Sequence, residues 1–315
     1  MKETSSIYGA YITDYIRYRT DDGFKACSFD KLYMFDSFLA ERNYDKDEIT
    51  KEIIDEWDKR KPTETNKSQL KRISTVRIFC IYLNSIGIKA YVSRTSVKVE
   101  KNIPFVFTRN EIITFFKEVD RYYSTRLTHY RYMMPVLLRL MYTTGLRVGE
   151  AVSLKPEHVD LVRGIIHIES GKNKITRLVY LSDDACLMMD EYMSRIKGDR
   201  PLSQWVFPNI YSDGHIANTT VARNFSIIVN NLGYTNPDYH PVSHSLRHSY
   251  CVHVIDGWLR NGENLNELMP YLEKQLGHQS HESTWYYYHM VYDSYDYIVS
   301  KTRDIYPEVI EDDQE

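Results

Sequence analysis

The sequence predicts a mainly α-helical protein carrying one small antiparallel β-sheet, in two helical parts joined by an extended stretch. Three observations lead there. Segments between breakers place apolar residues at helical spacing, as Leu70, Ile73, Val76, Cys80 and Leu83 do. Two short β-prone runs, Ile165–Ile168 and Ile175–Leu181, flank a glycine-containing turn and read as a hairpin. A basic, proline-bearing stretch with alternating valines, Tyr91 to Thr108, lies between the two helical parts. The chain has 315 residues, 43% apolar and 26% charged, enough for a sizeable core and about two domains.

Residues 1–92 read as a helical N-terminal domain. Tyr8–Tyr18 and Phe29–Arg42 are the first two helices, and Asp45 or Asp47 can cap a third running through Lys59. Pro62 and the polar run Thr63-Glu64-Thr65-Asn66 break the pattern. Asn66 then caps a fourth helix, Lys67–Ser85, which ends near Gly87. Between Lys59 and Arg77 seven basic residues (Lys59, Arg60, Lys61, Lys67, Lys71, Arg72, Arg77) meet a single acid, Glu64. Such a run is a solvated face or, on a small helical module, a phosphate-binding one. Residues 93–107 read as an interdomain linker, a strand joining either domain being the alternative.

In the second part, Thr108 or Asn110 caps a helix running through Phe115-Phe116 to Tyr122, and Tyr130–Tyr142 forms an apolar one. Gly145 makes a turn into a short helix, Leu146–Leu154. Arg147 on its first turn can address a phosphate beside helix N–H groups, or simply pair with Glu150. Lys172 and Lys174 stand on the hairpin turn, either as solvated cations or as groups reaching across a substrate. Helices near Asp184–Ile196 and Thr220–Leu232 flank a loop rich in Pro, Gly and Ser. Ser243 can cap a helix His244–Trp258, which carries His244, Arg247 and His248 on one face. Two imidazoles and a guanidinium suit an oxyanion better than a metal ion, which the guanidinium repels. Gly277 ends a further helix, and Glu282–Tyr297 begins another that holds Tyr286-Tyr287-Tyr288. A phenol is a poor nucleophile at its usual pKa of about 10 and needs cations or a base beside it.

Composition sets limits on function. No run of 18 apolar residues occurs, so no membrane span is expected. Met1 to Ser6 lead into no apolar h-region, unlike a signal peptide. Cys27, Cys80, Cys186 and Cys251 are far apart, without CxxC or zinc spacing, as in a reduced intracellular protein. The net charge of -3 argues against nucleic acid, but six acids and no base lie in Asp304–Glu315; the rest sets 40 lysines and arginines against 37 acids. Neither GxxxxGK[ST] nor HExxH occurs, and no paired carboxylates stand near these motifs, so neither cofactor nor metal is expected.

Taken in order, Thr144-Gly145-Leu146-Arg147-x-Gly149-Glu150, Gly171-Lys172, His244-x-x-Arg247-His248, Leu276-Gly277-His278 and Tyr287 resemble the motifs of the tyrosine recombinases, the phage integrase family. The likeness spans roughly residues 108–300. It implies a catalytic domain (residues 108–303) of helices with a small antiparallel sheet, preceded by a helical core-binding domain. Together these form a C-shaped clamp around double-stranded DNA. It also implies a homo-oligomer, the synaptic tetramer on DNA, with accessory DNA-bending proteins as further partners.

Carried over by motif, Arg147 and Arg247 become the phosphate clamp, Lys172 the general acid, and His244 and His278 partners of the scissile phosphate. Tyr287 becomes the nucleophile, being nine residues after His278 and two before His289. The turn reads Gly-Lys-Asn-Lys rather than the commoner Gly-Lys-Gly-Asn-Lys, so Lys174 stays a rival to Lys172 as well as a DNA contact. His248 is expected to be a structural brace. Asn261–Gln275 is longer than usual in the family. The acidic tail, residues 304–315, follows the nucleophile, and Tyr292–Glu315 is expected to pack on a neighbouring protomer.

The implied function is site-specific recombination through a covalent 3′-phosphotyrosine, serving a mobile element in the bacterial cytoplasm at the nucleoid. A type IB topoisomerase-like relaxase and a non-catalytic DNA-binding module are the alternatives.

Overall fold

The computed structural model describes residues 3–23, 29–99, 103–125, 130–169, 176–199, 204–209, 211–234, 236, 240–278 and 280–291. The chain divides into two units, Met1–Asn102 and Ile103–Glu315. The stretch expected to link the domains is shared between them. Ser93 and Thr95 are bonded to a helix of the first unit through Arg77, whereas Phe105 and Phe107 are buried in the core of the second.

The first unit has four described helices, α1 (Gly9–Asp21), α2 (Asp30–Glu41), α3 (Lys51–Asp58) and α4 (Asn66–Ser85). The apolar face of α4 (Ile73, Val76, Phe79, Cys80, Leu83) is buried, and this helix packs on the other three. Leu70 of the predicted stripe is only partly covered. The cap of α4 is Thr65, not Asn66. Thr65 has the extended backbone a cap requires, and its side chain accepts the Ser68 N–H. Helix α3 begins at Lys51, later than Asp45 or Asp47 would start it. The Ile49 N–H donates to the Lys89 carbonyl at 2.9 Å, and the Tyr91 N–H donates to the Ile49 carbonyl at 2.7 Å. That pairing holds the backbone extended just where the acidic caps suggested helix.

The basic run of this unit is not one surface. Lys59, Arg60, Lys61, Lys67 and Lys71 are exposed. Arg72, expected among the DNA contacts, is fully buried. Its Nε and Nη2 grip both oxygens of Glu64, its remaining bonds go to the Trp57 and Lys59 carbonyls, and the guanidinium lies over the Trp57 ring. A buried guanidinium survives only when its donors are filled, and the one acid of the run fills them. Arg72 is therefore a strut between α3 and α4. Arg77 is likewise spent, on the Ser93 and Thr95 carbonyls.

The second unit begins with α5 (Arg109–Ser124), capped by Thr108 in a reciprocal box with Glu111, and α6 (Tyr130–Thr144). After Gly145 comes the short α7 (Val148–Val152), followed by β1 (Val159–Asp160), β2 (Ile165–Glu169) and β3 (Thr176–Tyr180). The sheet is antiparallel in the order β1-β2-β3, with Ile166 opposite Val179. Strand β1 was not foreseen, since two residues leave no alternation to read. Then follow α8 (Asp183–Asp199), α9 (Asn218–Asn231), α10 (Ser245–Arg260), α11 (Leu265–Leu276) and α12 (His281–Tyr288). Helix α10 begins at Ser245, with His244 rather than Ser243 in the position before it and no side-chain capping bond there, and α12 ends at Tyr288 where the sequence suggested Tyr297. Lys172, Lys174 and the tail beyond Val291 lie outside the described residues.

One core gathers α5, α6, α8, α9 and the sheet, through residues such as Phe115, Leu138, Ile166, Met189 and Phe225. A second joins α10, α11 and α12 through Cys251, Ile255, Met269, Leu272, Leu276 and Tyr287. Among the described residues no helix is long and apolar enough to cross a membrane.

Replacing Arg72 by Ala strands the Glu64 carboxylate, whose side chain is 8% exposed. The change is expected to destabilise the first unit by about 3 to 5 kcal/mol, read from denaturant unfolding of the full chain followed by Trp57 fluorescence. Lys71→Ala, one position away on the exposed side, is expected to leave the transition unmoved.

Candidate active site

The site forms where the Gly145 turn, the start of α10, the end of α11 and α12 meet. Gly145 takes φ +68°, a left-handed conformation, and a Cβ there would stand 2.6 Å from the Tyr250 ring and 2.7 Å from Leu276. Gly277 ends α11 with φ +65°, and a Cβ there would press on the Arg177 side chain at 2.9 Å. Both glycines thus let neighbouring groups come close.

Arg247 stands in the first turn of α10, with 1% of its surface exposed. Its Nη1 donates to the Gly145 carbonyl at 2.6 Å. Its Nη2 donates to the Leu276 carbonyl at 2.8 Å and meets His278 Nε2 at 3.0 Å. A guanidinium only donates, so His278 Nε2 is the acceptor and Nδ1 carries the proton. That Nδ1–H donates to Thr284 Oγ1 at 2.7 Å. Burial, then the charges of Arg247, Arg147 and Arg177, press the His278 pKa down to about 4, which fits a neutral ring.

Arg147 occupies the position just before α7, and its side chain is 44% exposed. It pairs with Glu150 at 2.9 Å, as the plainer sequence reading allowed. Glu150 in turn receives both ends of the Arg177 fork, at 2.9 and 2.8 Å, while Arg177 Nε donates to the Gln275 carbonyl. Burial pushes the Glu150 carboxyl up, but the bonds and charge of Arg177, then those of Arg147, outweigh it and hold the pKa at about 2. The charges of Arg147 and Arg247 act on the same histidines. Both depress His244 and His278, and Arg147 also lowers Arg247 itself, after burial.

Tyr287 is 5% exposed. Its ring stacks on that of His278 at 6.2 Å with 14° between planes. Its hydroxyl lies 2.9 Å from His248 Nδ1. Burial, then Cys251, raises the phenol pKa well above its ordinary value, against the pull of Arg247. Burial, then His244, Arg247 and His278, lowers His248 to about 3. In the tautomer with its proton on Nε2, the neutral imidazole accepts from the phenol through Nδ1. The His244 ring meets His248 edge-on at 4.6 Å. Tyr286 is exposed, and the His248 bond belongs to Tyr287.

Of the residues picked from sequence, Arg147, His244, Arg247, His278 and Tyr287 come together here. Arg177 and Thr284 were not foreseen. Arg177 acts through Glu150, 27 positions away, and no local pattern marks such a pair. His248, read as a brace, touches the tyrosine hydroxyl. Among the described residues no three His, Cys, Asp or Glu side chains are grouped to hold a metal. The site's charge comes from its arginines.

Comparison with known proteins gives consistent findings. The sequence model of the phage integrase family matches residues 106–293. The chain is 28% identical over 246 residues to the tyrosine recombinase XerD of Agrobacterium fabrum, covering 71% of this chain and 70% of that protein. It is 26% identical over 230 residues to XerD of Staphylococcus aureus strain Mu50, covering 72% and 73%. In fold it is similar to the Tn1549 transposon integrase in complex with transposon right end DNA (TM-score 0.64, 15% identity, 88% of this chain and 93% of that one). It is also similar to lambda integrase bound to a core site (TM-score 0.63, 16% identity, 88% and 94%).

The Glu150 pairs carry a pH signature. Its carboxyl titrates lower in the folded protein than in the unfolded chain, where about 4.3 is usual. The stabilisation is complete above about pH 5 and disappears as pH falls towards about 2, amounting to about 3 kcal/mol. Urea titrations of the wild type and Glu150→Gln between pH 7 and pH 2 are expected to converge at the acid end, with the variant less stable by that amount at pH 7.

Proposed function

This chain belongs to the phage integrase family and is a tyrosine-type site-specific DNA recombinase; from that premise we propose that Tyr287 attacks a DNA phosphodiester. The attack forms a 3′-phosphotyrosine and releases a 5′-hydroxyl, which later reverses the step on a partner strand. The observation that supports this reading best is the Tyr287 hydroxyl held in one site with Arg247, to which no described carboxylate is hydrogen-bonded. In the transition state negative charge builds on the non-bridging oxygens. Arg247 and Arg147 present permanent charge to them, a kind of contact worth about 3 to 4 kcal/mol each. His244 and His278 complete the surroundings of the phosphate. The leaving alkoxide needs a proton, and the motif assigns that to Lys172, with Lys174 as the alternative. The phosphotyrosine conserves the ester energy, so rejoining needs no nucleotide.

Double-stranded DNA is the partner. Exposed Lys59, Arg60, Lys61, Lys67 and Lys71 are the phosphate contacts of the first unit, Arg72 and Arg77 being spent internally. Recombination between two sites requires a synaptic tetramer, helped by DNA-bending proteins and by a C-terminal segment exchanged between protomers. A mobile element of a bacterial genome, acting in the cytoplasm at the nucleoid, is the setting we infer.

On a nicked duplex whose cleaved end diffuses away, the wild type is expected to accumulate a covalent adduct that peptide mapping places on Tyr287. Tyr287→Phe is expected to form none, and Arg247→Ala to form it about 100- to 1,000-fold more slowly. An adduct on Tyr286 or Tyr288 would refute the assignment. Strand exchange between two duplex sites separates a recombinase from a relaxase, which would only relax supercoils.

A further inference from the structure

The bond between His248 and the tyrosine hydroxyl carries an inference beyond the motif assignments, resting on the reading of Tyr287 as nucleophile. We propose that His248 is the general base of strand cleavage, taking the phenolic proton of Tyr287 on its Nδ1. Geometry selects it. His248 Nδ1 lies 2.9 Å from the hydroxyl, within the reach a proton transfer requires. Both ring nitrogens of His278 are already used, Nδ1 on Thr284 and Nε2 on Arg247. His244 meets His248 by its ring and has no described bond to the phenol. The groups facing His248 are His244 and Arg247 on its own helix, His278 behind α11 and Tyr287 on α12; Cys251 also bonds the Tyr287 hydroxyl, but burial pushes its thiol up to about 12, so it stays protonated and is no base. Burial, with Arg247 as the permanent charge among them, keeps the imidazole neutral, and in the tautomer with its proton on Nε2 the Nδ1 lone pair faces the phenol.

The step balances. The Tyr287 O–H bond breaks and an N–H bond forms at His248 Nδ1. The electron pair left on the phenolic oxygen makes the new O–P bond. The P–O5′ bond breaks, and the leaving oxygen takes its proton from the general acid. In rejoining, His248 returns its proton to Tyr287.

The test uses the full chain on nicked duplex DNA, with His248→Gln, whose amide can still accept a hydrogen bond but cannot take up a proton. The expected result is cleavage slowed about 100-fold or more, with DNA affinity kept. The wild-type rate is expected to vary little between about pH 6 and about pH 8. The variant's rate should rise about tenfold per pH unit there, following the phenolate fraction. A substrate with sulfur in place of the bridging 5′ oxygen has a leaving group that needs no proton. It is expected to rescue Lys172→Ala but not His248→Gln.

Wild-type cleavage by His248→Gln, a flat pH profile in that variant, or its rescue by the sulfur substrate would each overturn the proposal. A measurement on the unaltered enzyme stands beside these. The nitrogen resonance of His248 Nδ1 is expected to be that of an unprotonated ring nitrogen, and a protonated Nδ1 would overturn the role. An adduct formed by Tyr287→Phe would instead remove the nucleophile assignment itself, so the two failures are told apart.

Discussion

The site rests on a single buried cation. Arg247 is almost wholly removed from water, and a desolvated charge is costly unless its donors are filled. No carboxylate fills them among the described residues. Two backbone carbonyls and one imidazole do. Each carbonyl is available for a local reason. That of Leu276 is one of the last of α11, which the helix leaves unpaired and whose dipole favours a cation. That of Gly145 points inward because its residue takes a left-handed turn. The two glycines of the motifs and the arginine are therefore one arrangement. The glycines shape the backbone that solvates the charge, which among the described residues has no bonded carboxylate and is complementary to an incoming phosphate.

The neighbouring arginines are handled differently, and the contrast explains the histidines. Glu150 is shared between Arg177, which is nearly buried, and Arg147, which is half exposed. Among the described residues, three guanidiniums, those two and Arg247, thus stand against Glu150. The surplus positive field, added to burial, keeps His244, His248 and His278 below their ordinary pKa. Neutral imidazoles offer one donor and one acceptor each, and the bonding pattern of His278 shows the choice made. A site made wholly of charged donors could bind a phosphate. It would have nothing to receive a proton.

Much of the fold was legible because it is local. The helical spacing of Ile73, Val76, Cys80 and Leu83, the cap at Thr108 and the hairpin strands all follow from short-range pattern. The misread points are where distant chain intervenes. Asp45 and Asp47 are good caps by type, but Ile49 is claimed by Lys89 and Tyr91. Arg72 looked like its basic neighbours, and only the lone Glu64 in that run hinted that one of them had an internal partner. In the active site, the ordered motifs identified residue types whose positions the structure brings together. The pairing of Arg177 with Glu150 and of His248 with Tyr287 spans 27 and 39 positions, across elements whose approach no spacing rule encodes.

Those long-range pairings also explain how an enzyme with a buried phenol avoids reacting at rest. Burial makes the Tyr287 proton hard to remove, and burial with the surrounding cations makes His248 slow to accept it. With both proton affinities shifted in the unhelpful direction, transfer does not run ahead of bond formation. A phosphate seated on Arg247 offsets the positive field that suppresses the imidazole. As the phenolic oxygen gives its electron pair to phosphorus, the charge that opposed ionisation moves onto oxygens the arginines already face. With His248 in the proposed role, proton transfer and attack proceed together. The charge that holds α10 against α11 in the folded chain is thus the same charge that, with burial, holds His248 neutral, while burial keeps the Tyr287 phenol protonated.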